Sequence, residues 1–389
     1  MKIMLAGQAY YKEDNGQAVF TVRLARGLAA AGHRVLVLAP CDDGKPGLIR
    51  DDAVEVWKIN TLTLPHNVNI SLLPGRKITQ ALAYFVPDII HLQDHYFICR
   101  PLYNRARKKG IPVVGSNHFL PDNITANLPL PDIFKPTMNR LLWLHMFRLY
   151  NRLSAVSTPT ATAAAILRKQ HLLPSVTPIS CGIDTNLFHP IARSAQSTIR
   201  HSFSLPQERT IFIYVGRLDH EKGLDTVIKA FARLYHDCLL ILAGKGSFQT
   251  FLKDLCQKLE IASRVRFPGF IPKQDLPRLL ACCDCFVMAG FAELQSIATL
   301  EAMACGLPII AADARALPEL VKPEKNGLLF RPGNVDSLHG AMDQFLRRRS
   351  AWKKWGQASR AGAEEHAMEK SVRRFLAWYE MAVSRNSGS

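Results

Sequence analysis

This 389-residue chain lacks long apolar runs and metal-type cysteine pairs, and its acidic residues are few beside its basic ones. No stretch of eighteen apolar residues occurs, so no membrane-spanning helix is expected. The opening Met1-Lys2-Ile3-Met4-Leu5-Ala6-Gly7 is too short and too soon interrupted by glycine to read as a signal peptide. Both absences point to a cytoplasmic protein that meets a membrane only from its surface. Cys282-Cys283-Asp284-Cys285 has no second pair and no His-x3-His partner at zinc spacing, so the nine cysteines are expected to be buried reduced thiols, with no structural metal. No Asp-x-Asp stands at a strand end, since Asp42-Asp43 and Asp51-Asp52 read as loop acids, and metal-independent chemistry without a cofactor is expected.

Acids number 32 against 49 Lys and Arg, a formal net charge of +17. So basic a surface attracts polyanions, which leaves nucleic acid, an anionic membrane and a phosphate-bearing substrate as partner classes. With 48% hydrophobic and 21% charged residues the chain should bury substantial cores, and 389 residues are too many for one ordinary core.

The apolar patterning is that of an α/β protein. Lys2–Ala6 reads as a strand, and a loop runs through Gly7 to Gly16. Val19, Val22, Leu24, Leu28 and Ala29 then give about Gln17 to Ala31 a helical period that Gly32 stops. The buried-type run Val35–Ala39 completes a βαβ unit. A dinucleotide site is excluded there, because the first turn lacks Gly-x-Gly-x-x-Gly and the second strand ends in Ala39-Pro40-Cys41 without a ribose-binding acid. Further units follow at Ile89–Leu92, with a helix from about His95, and at Ile111–Gly115, which leads into Ser116-Asn117-His118-Phe119. A second series opens at Thr210–Val215, repeats at Leu239–Ala243, and closes with Leu307–Ala312 and Gly327–Phe330. Between the two series Ala192–Arg209 is polar and without period, which places a boundary near residue 190 and predicts domains of 1–190 and 191–368.

Two helices carry extra information. In Phe134–Arg152 one side holds Leu142, Trp143, Met146, Phe147, Leu149, Tyr150 and Leu153, and the other Arg140, His145, Arg148 and Arg152, a core-packed helix with a basic outer face, direct membrane insertion being the alternative. Near the end of the chain Val372, Phe375, Leu376, Tyr379 and Val383 mark an amphipathic helix over 369–386.

The stretch Met288–Pro308 organises the rest. The run Cys285–Met288 stops at Ala289-Gly290, Ser296 is placed to cap a helix, and Gly306 closes that helix. Glu293 then lies in the loop ahead of the helix and Glu301 inside it, eight residues on. Between them are the N–H groups of a helix N-terminus, which suit a diphosphate. Paired carboxylates beside an anion site suit a ligand carrying both hydroxyls and phosphate. A bare Glu pair at this spacing occurs by chance on many solvated helices; the sixteen-residue run from Glu293 to Gly306-Leu307-Pro308 is what makes it specific.

That run resembles the Glu-x7-Glu motif of retaining glycosyltransferases of the GT-B fold, specifically family 4. The resemblance implies two Rossmann-like doubly wound domains facing a central cleft, an acceptor-binding N-terminal domain and a donor-binding C-terminal one, with helix 369–386 packed back on the first. It implies that Glu293 bonds the donor sugar and Glu301 the ribose. Leu294, Gln295 and Ser296 would lie at the diphosphate. Gly216-Arg217-Leu218-Asp219-His220-Glu221-Lys222-Gly223 resembles the family's Gly-Arg-Leu-x-x-x-Lys-Gly, in which Arg217 and Lys222 would bind the diphosphate, neutralising a departing pyrophosphate without a metal. Gly244 and Gly246 would admit the nucleotide, and Gly269-Phe270-Ile271 resembles the loop that cups the base. Ser116-Asn117-His118 resembles Thr-x-His, and His118 would contact the sugar near the reaction centre. Of the family's usual Gly-Gly pair before the first helix only Gly16 is present. Gly182-Ile183-Asp184 with Phe188 resembles the joint that follows the first domain.

The expected activity is hexose transfer from a nucleotide diphosphate sugar, a UDP-sugar favoured, to an acceptor hydroxyl. Glu293-Leu294-Gln295-Ser296 resembles the variant found in diacylglycerol glucosyltransferases, which with the +17 charge implies a lipid acceptor and an anionic membrane surface. A soluble sugar or small-molecule acceptor is the alternative. A nucleotide-sugar epimerase on the same fold would need an added acid and base set, which the sequence does not offer. Nucleic acid is not an expected partner: Arg347-Arg348-Arg349 with Lys353-Lys354 reads as a solvated helix face, and no nucleic-acid motif accompanies it.

Overall fold

A computed structural model of the chain describes residues 1–389 except 9, 11–15, 42, 43, 61, 65–67, 71–73, 122–124, 126–130, 236, 388 and 389. The chain divides into two compact units, Met1–Gly182 with Met368–Ser389, and Ile183–Ala367. Each is an α/β unit of the Rossmann type.

In the first unit the strands are β1 (Lys2–Ala6), β2 (Arg34–Pro40), β3 (Gly47–Asp51), β4 (Val54–Ile59), β5 (Leu62–Leu64), β6 (Val68–Ile70), β7 (Ile89–Leu92), β8 (Val113–Ser116), β9 (Val156–Thr158) and β10 (Val176–Pro178). Eight of them form one sheet in the order β10-β9-β8-β7-β1-β2-β4-β3, and β5 and β6 form a separate hairpin. All pairings in the large sheet are parallel except that of the edge strand β3 with β4. Continuous buried runs such as Ile3–Ala6 and Val35–Ala39 follow from this, because helices cover both faces of a parallel sheet. The sequence passes from β2 on one side of β1 to β7 on the other, so the order reverses between β1 and β7. Open α/β sheets bind ligands at such a switch point, outside the carboxyl ends of the strands.

The C-terminal helix Met368–Ser387 belongs to this unit and buries Ser371, Val372, Phe375, Trp378, Tyr379 and Ala382. Its apolar face includes Trp378 and Ala382 beyond the residues the periodicity picks out. It lies against the helix Gly16–Ala30 so closely that a Cβ at Gly27 would come within 2.6 Å of Val372 Cγ2. Any side chain at Gly27 would push the two helices apart.

The second unit has β11 (Thr210–Val215), β12 (Cys238–Ala243), β13 (Val265–Gly269), β14 (Cys285–Met288), β15 (Ile309–Ala312) and β16 (Gly327–Phe330), in the order β13-β12-β11-β14-β15-β16. Its switch point is between β11 and β14. The strand cores, Ile211–Tyr214, Cys238–Ala243, Cys285–Met288 and Ile309–Ala312, are buried and form the middle of one hydrophobic core. All nine cysteines are buried reduced thiols.

The structure corrects the sequence reading in two places. Residues Ala192–Arg209 contain a helix, Arg193–Ser202, whose anchor is polar and so leaves little apolar period. Arg200 is buried and donates to the carbonyls of Cys282, Gln207 and Arg209 and to Asp284 Oδ2 at 2.8 Å. The helix expected from His95 begins instead at Cys99, because Asp94 Oδ1 accepts the Tyr96 N–H at 2.9 Å and holds the intervening residues in a turn.

Candidate functional site

In the second unit the first and fourth strands in sequence, β11 and β14, are neighbours, and the loops leaving their carboxyl ends meet. Gly216 leaves β11 at φ +150, and a short 3-10 turn, His220–Lys222, ends on Gly223 at φ +61. A Cβ on Gly223 would sit 2.9 Å from the Ala289 carbonyl oxygen, which fixes how near this loop approaches the one after β14. Across that approach Lys222 Nζ lies 2.7 Å from Glu293 Oε1. Both side chains are largely buried, at 18% and 14% exposed, so this pair is shielded from the screening that makes surface pairs weak. The Ala316 N–H, from the loop after β15, donates to the Glu293 carbonyl at 3.3 Å and holds the residue from its other side.

Ser296 caps the helix Ile297–Ala304 as its residue type suggests. Its Oγ accepts from the Thr299 N–H at 3.2 Å and from Thr299 Oγ1 at 2.8 Å. Leu294, Gln295 and Glu301 are buried around that helix start and its first turns. Gly306, at φ +80, follows the helix and its N–H donates to the Met303 carbonyl at 2.9 Å.

Arg217 is half-exposed and binds two carboxylates of its own loop, Asp219 and, at 2.5 Å, Glu221 Oε1. Asp219 also ties down the glycine loop after β12, accepting from the Ser247 N–H and Oγ at 3.0 Å each. Beneath Arg217, Tyr214 donates its hydroxyl to the Arg217 carbonyl at 2.8 Å, and burial pushes the phenol well above its ordinary range. Gly244 donates its N–H to the Gly269 carbonyl at 2.8 Å, joining the ends of β12 and β13, and Phe270 follows with its ring partly exposed. A Cβ on Gly246 would lie within 2.6 Å of the Leu218 backbone, so that loop packs against the Gly216–Gly223 loop with no room for a side chain.

In the first unit Gly16 opens the helix Gly16–Ala30; Glu13, Asp14 and Asn15, which precede it, lie outside the described residues. At the β1–β7 switch point Asp94 Oδ2 accepts from the Gln8 N–H at 2.6 Å and from Gln17 Nε2 at 3.1 Å, and its Oδ1 also lies 3.2 Å from Cys99 Sγ. Burial raises the Asp94 carboxyl pKa, against these bonds, which oppose the rise. His118 follows β8, the next strand over. Burial lowers its imidazole to about 4, so the ring is neutral at physiological pH. Its Nε2 is sealed from solvent without a hydrogen-bond partner, and so are both amide atoms of Gln8, both of Gln93 and Oδ1 of Asn117. Buried polar atoms are normally satisfied, and each orphan costs about 1–3 kcal/mol. Gln8, Gln93, Asn117 and His118 all follow the carboxyl ends of strands of the first sheet, β1, β7 and β8.

Residues 14–187 match the family model described as Glycosyltransferase Family 4, and residues 195–362 the model described as Glycosyl transferases group 1. Between them the two models take in most of both units. The chain belongs to the group 1 and family 4 glycosyltransferases. A GDP-mannose-dependent alpha-mannosyltransferase of Mycobacterium tuberculosis is 27% identical over 344 residues, covering 86% of this chain and 85% of that one. Sucrose-phosphate synthase from Thermosynechococcus elongatus has the same GT-B fold, with a TM-score of 0.83 at 20% identity over 98% of this chain and 99% of that one. Anabaena HepE, solved in complex with UDP-glucose, gives a TM-score of 0.74 at 22% identity over 97% of this chain and 99% of that one.

As a glycosyltransferase of this family, the chain uses a nucleotide sugar. The structure brings Lys222 and Glu293 together, sets Arg217 on the same loop as Lys222, and places Ser296 and Glu301 on the adjoining helix. Asp219 and Glu221, the carboxylates that hold Arg217, are absent from the sequence reading; their signal is the i, i+4 spacing of Arg217 and Glu221. Gln8 and Gln93 are absent as well. Single amides after strands carry no periodic signal, and only the reversal of strand order makes them neighbours.

Proposed function

We propose that this glycosyltransferase moves a hexose from a UDP-sugar to a hydroxyl of a membrane lipid such as diacylglycerol, with retention at the anomeric carbon and without a metal. The observation that carries the donor half is the Lys222–Glu293 pair at the β11–β14 switch point. Lys222 and Arg217 stabilise charge growing on the leaving diphosphate, aided by the helix N-terminus at Leu294–Ser296, and such preorganised electrostatics are usually the largest contribution to catalysis. Both cations are held by carboxylates, Lys222 by Glu293 and Arg217 by Asp219 and Glu221. A diphosphate takes over part of that pairing and leaves Glu293 able to accept from a sugar hydroxyl. Glu301 accepts from the ribose, and the Phe270 loop and Gly244-Lys245-Gly246 receive the nucleoside. Neutral His118 offers a hydrogen bond to the sugar. The departing phosphate oxygen accepts the acceptor's proton on the face of attack, so no general base is required.

The acceptor half is supported by the outer face of the helix Lys135–Tyr150 and the turn before it. Met146, Leu149 and Tyr150 are buried, as expected of the core side. The outer side is not simply basic: Ile133, Phe134, Leu141 and Leu144 are exposed beside Lys135, Arg140 and Arg148. Apolar side chains interleaved with cations suit the interface of an anionic bilayer, where each Lys or Arg contributes about 1 kcal/mol. In the sequence the apolar stretch Ile70–Leu73, followed by Arg76 and Lys77, also suits such an interface; its residues 71–73 lie outside the described residues. Among the described residues no helix is long and apolar enough to cross a membrane. The basic run Arg347–Arg349 is taken up internally, Arg347 by Asp343, Arg348 by Glu324 and Arg349 over the Trp352 ring.

A soluble, hydroxyl-rich acceptor is the second reading, favoured by the Gln8, Gln93 and Asn117 side chains at the edge of the first sheet. Sedimentation with phosphatidylglycerol-containing vesicles separates the two. The protein is expected to pellet at low salt and to be released at high salt. Protein that stays in the supernatant at low salt, while glycosylating a soluble acceptor, would remove the lipid reading. The same preparation tests the donor, since GDP-mannose is the competing choice given the mycobacterial relative. The true donor at a hundred times its Kd adds about 2.7 kcal/mol of stability.

A further inference from the structure

We propose that Tyr379, on the C-terminal helix, is a positioning residue for His118, acting through His91 and Ser116. The proposal rests on the reading of His118 as the group that faces the sugar. His91 stands in the middle of β7, in the buried run Ile89-Ile90-His91-Leu92, where an aliphatic residue would pack at no desolvation cost. Its Nδ1 lies 2.6 Å from Tyr379 Oη and its Nε2 2.7 Å from Ser116 Oγ, which in turn is 2.5 Å from Ser157 Oγ. Burial drives the His91 pKa well down, so the ring is neutral and has one N–H. It therefore donates one of its two bonds and accepts the other. Hydroxyls donate or accept as needed, so the two bonds hold the ring at both nitrogens and fix its position between Tyr379 and Ser116.

Ser116 is two residues before His118, and the backbone between them is held on all sides. Its carbonyl accepts from the Tyr150 hydroxyl at 2.8 Å, and the Asn117 N–H donates to the Ser157 carbonyl at 2.8 Å. The C-terminal helix also reaches His118 through aromatic rings. Phe375 is 5.8 Å from Phe20, and Phe20 is 4.5 Å from the His118 ring, centroid to centroid. One helix thus supports the peptide that carries His118 and the ring that packs on it. A hydrophobic strap would need only the second contact; the polar chain from Tyr379 to Ser157 specifies orientation.

The test is Tyr379→Phe, which keeps the buried ring and removes only the hydroxyl. Turnover should fall about tenfold, the effect of one lost buried hydrogen bond expressed on the reaction rather than on folding. Protection by the donor should be unchanged. Ser116→Ala, which cuts the chain at its other end, should act likewise. The deciding readout is a double-mutant cycle: in a His118→Ala background, Tyr379→Phe should leave turnover where His118→Ala put it. An equal fold-loss in both backgrounds would mean that Tyr379 acts elsewhere and overturns the proposal. A slow His118→Ala beside a Tyr379→Phe and a Ser116→Ala of wild-type turnover overturns this proposal alone. A His118→Ala of wild-type turnover overturns the reading of His118 and this proposal with it.

Discussion

Glu293→Gln and Lys222→Ala are each expected to lower turnover by at least about a hundredfold while leaving the fold intact. The two side chains form one buried pair 2.7 Å apart, so each substitution removes a polar contact with the donor and also releases its partner. In Lys222→Ala the Glu293 carboxylate loses its cation and the diphosphate loses a positive charge. In Glu293→Gln the shape is kept, but Lys222 loses the anion that holds it in place. Because the two act as a unit, the double variant should cost little more than either alone. Steady-state kinetics on the three variants, with melting temperatures alongside, checks this. Near-normal turnover in both single variants would remove the pair from the mechanism.

Gly244→Ala should unfold or severely destabilise the second unit, by more than about 3 kcal/mol. Gly244 has φ +139, and a Cβ there would lie 1.8 Å from the Gly216 carbonyl oxygen. The obstacle is backbone rather than a side chain that can swing aside. Relief would have to break either the Gly244 N–H bond to the Gly269 carbonyl or the bond of the Gly216 N–H to the Ala243 carbonyl, and these hold the ends of β11, β12 and β13 together. Gly333→Ala is the control. It shares a positive φ, +67, but its Cβ would meet nothing within 4 Å, so it should cost only the conformational strain of about 1–2 kcal/mol. Urea unfolding of both variants separates close approach from backbone strain. Equal losses would show that the Gly244–Gly216 approach is not what requires glycine.

Much of this was legible in the sequence, for reasons that differ by element. The buried strands announce themselves because a parallel sheet covered on both faces leaves an uninterrupted apolar run, as in Val35–Ala39 and Ile211–Ile213. The helix from Ile297 is legible because its cap is chemical: Ser296 accepts the Thr299 N–H, and Gly306 takes the positive φ that ends it. Elements anchored by polar groups are not legible in this way. Arg193–Ser202 hides because few of its residues are apolar and much of its anchorage is the buried Arg200, which bonds Cys282 and Asp284. The start of the helix at Cys99 hides behind a side-chain bond from Asp94. Leu141 and Leu144 are apolar residues on the basic side of their helix, so periodicity assigns them no place. Contacts between residues far apart in the chain are the least accessible. Lys222 and Glu293 could be paired only through the family motif, whereas Tyr379 and His91 lie 288 residues apart with no motif to join them.

The proposed retaining, metal-free transfer of a hexose from a nucleotide sugar is read out in the anomeric configuration of the product. The protein would be incubated with UDP-glucose, whose sugar is α-linked, and diacylglycerol in phosphatidylglycerol vesicles, with EDTA throughout, and the glycolipid examined by proton NMR. An α-linked glucoside is expected, formed at the rate seen in a parallel reaction without the chelator. A β-linked product, or a reaction that EDTA abolishes and magnesium restores, would contradict it.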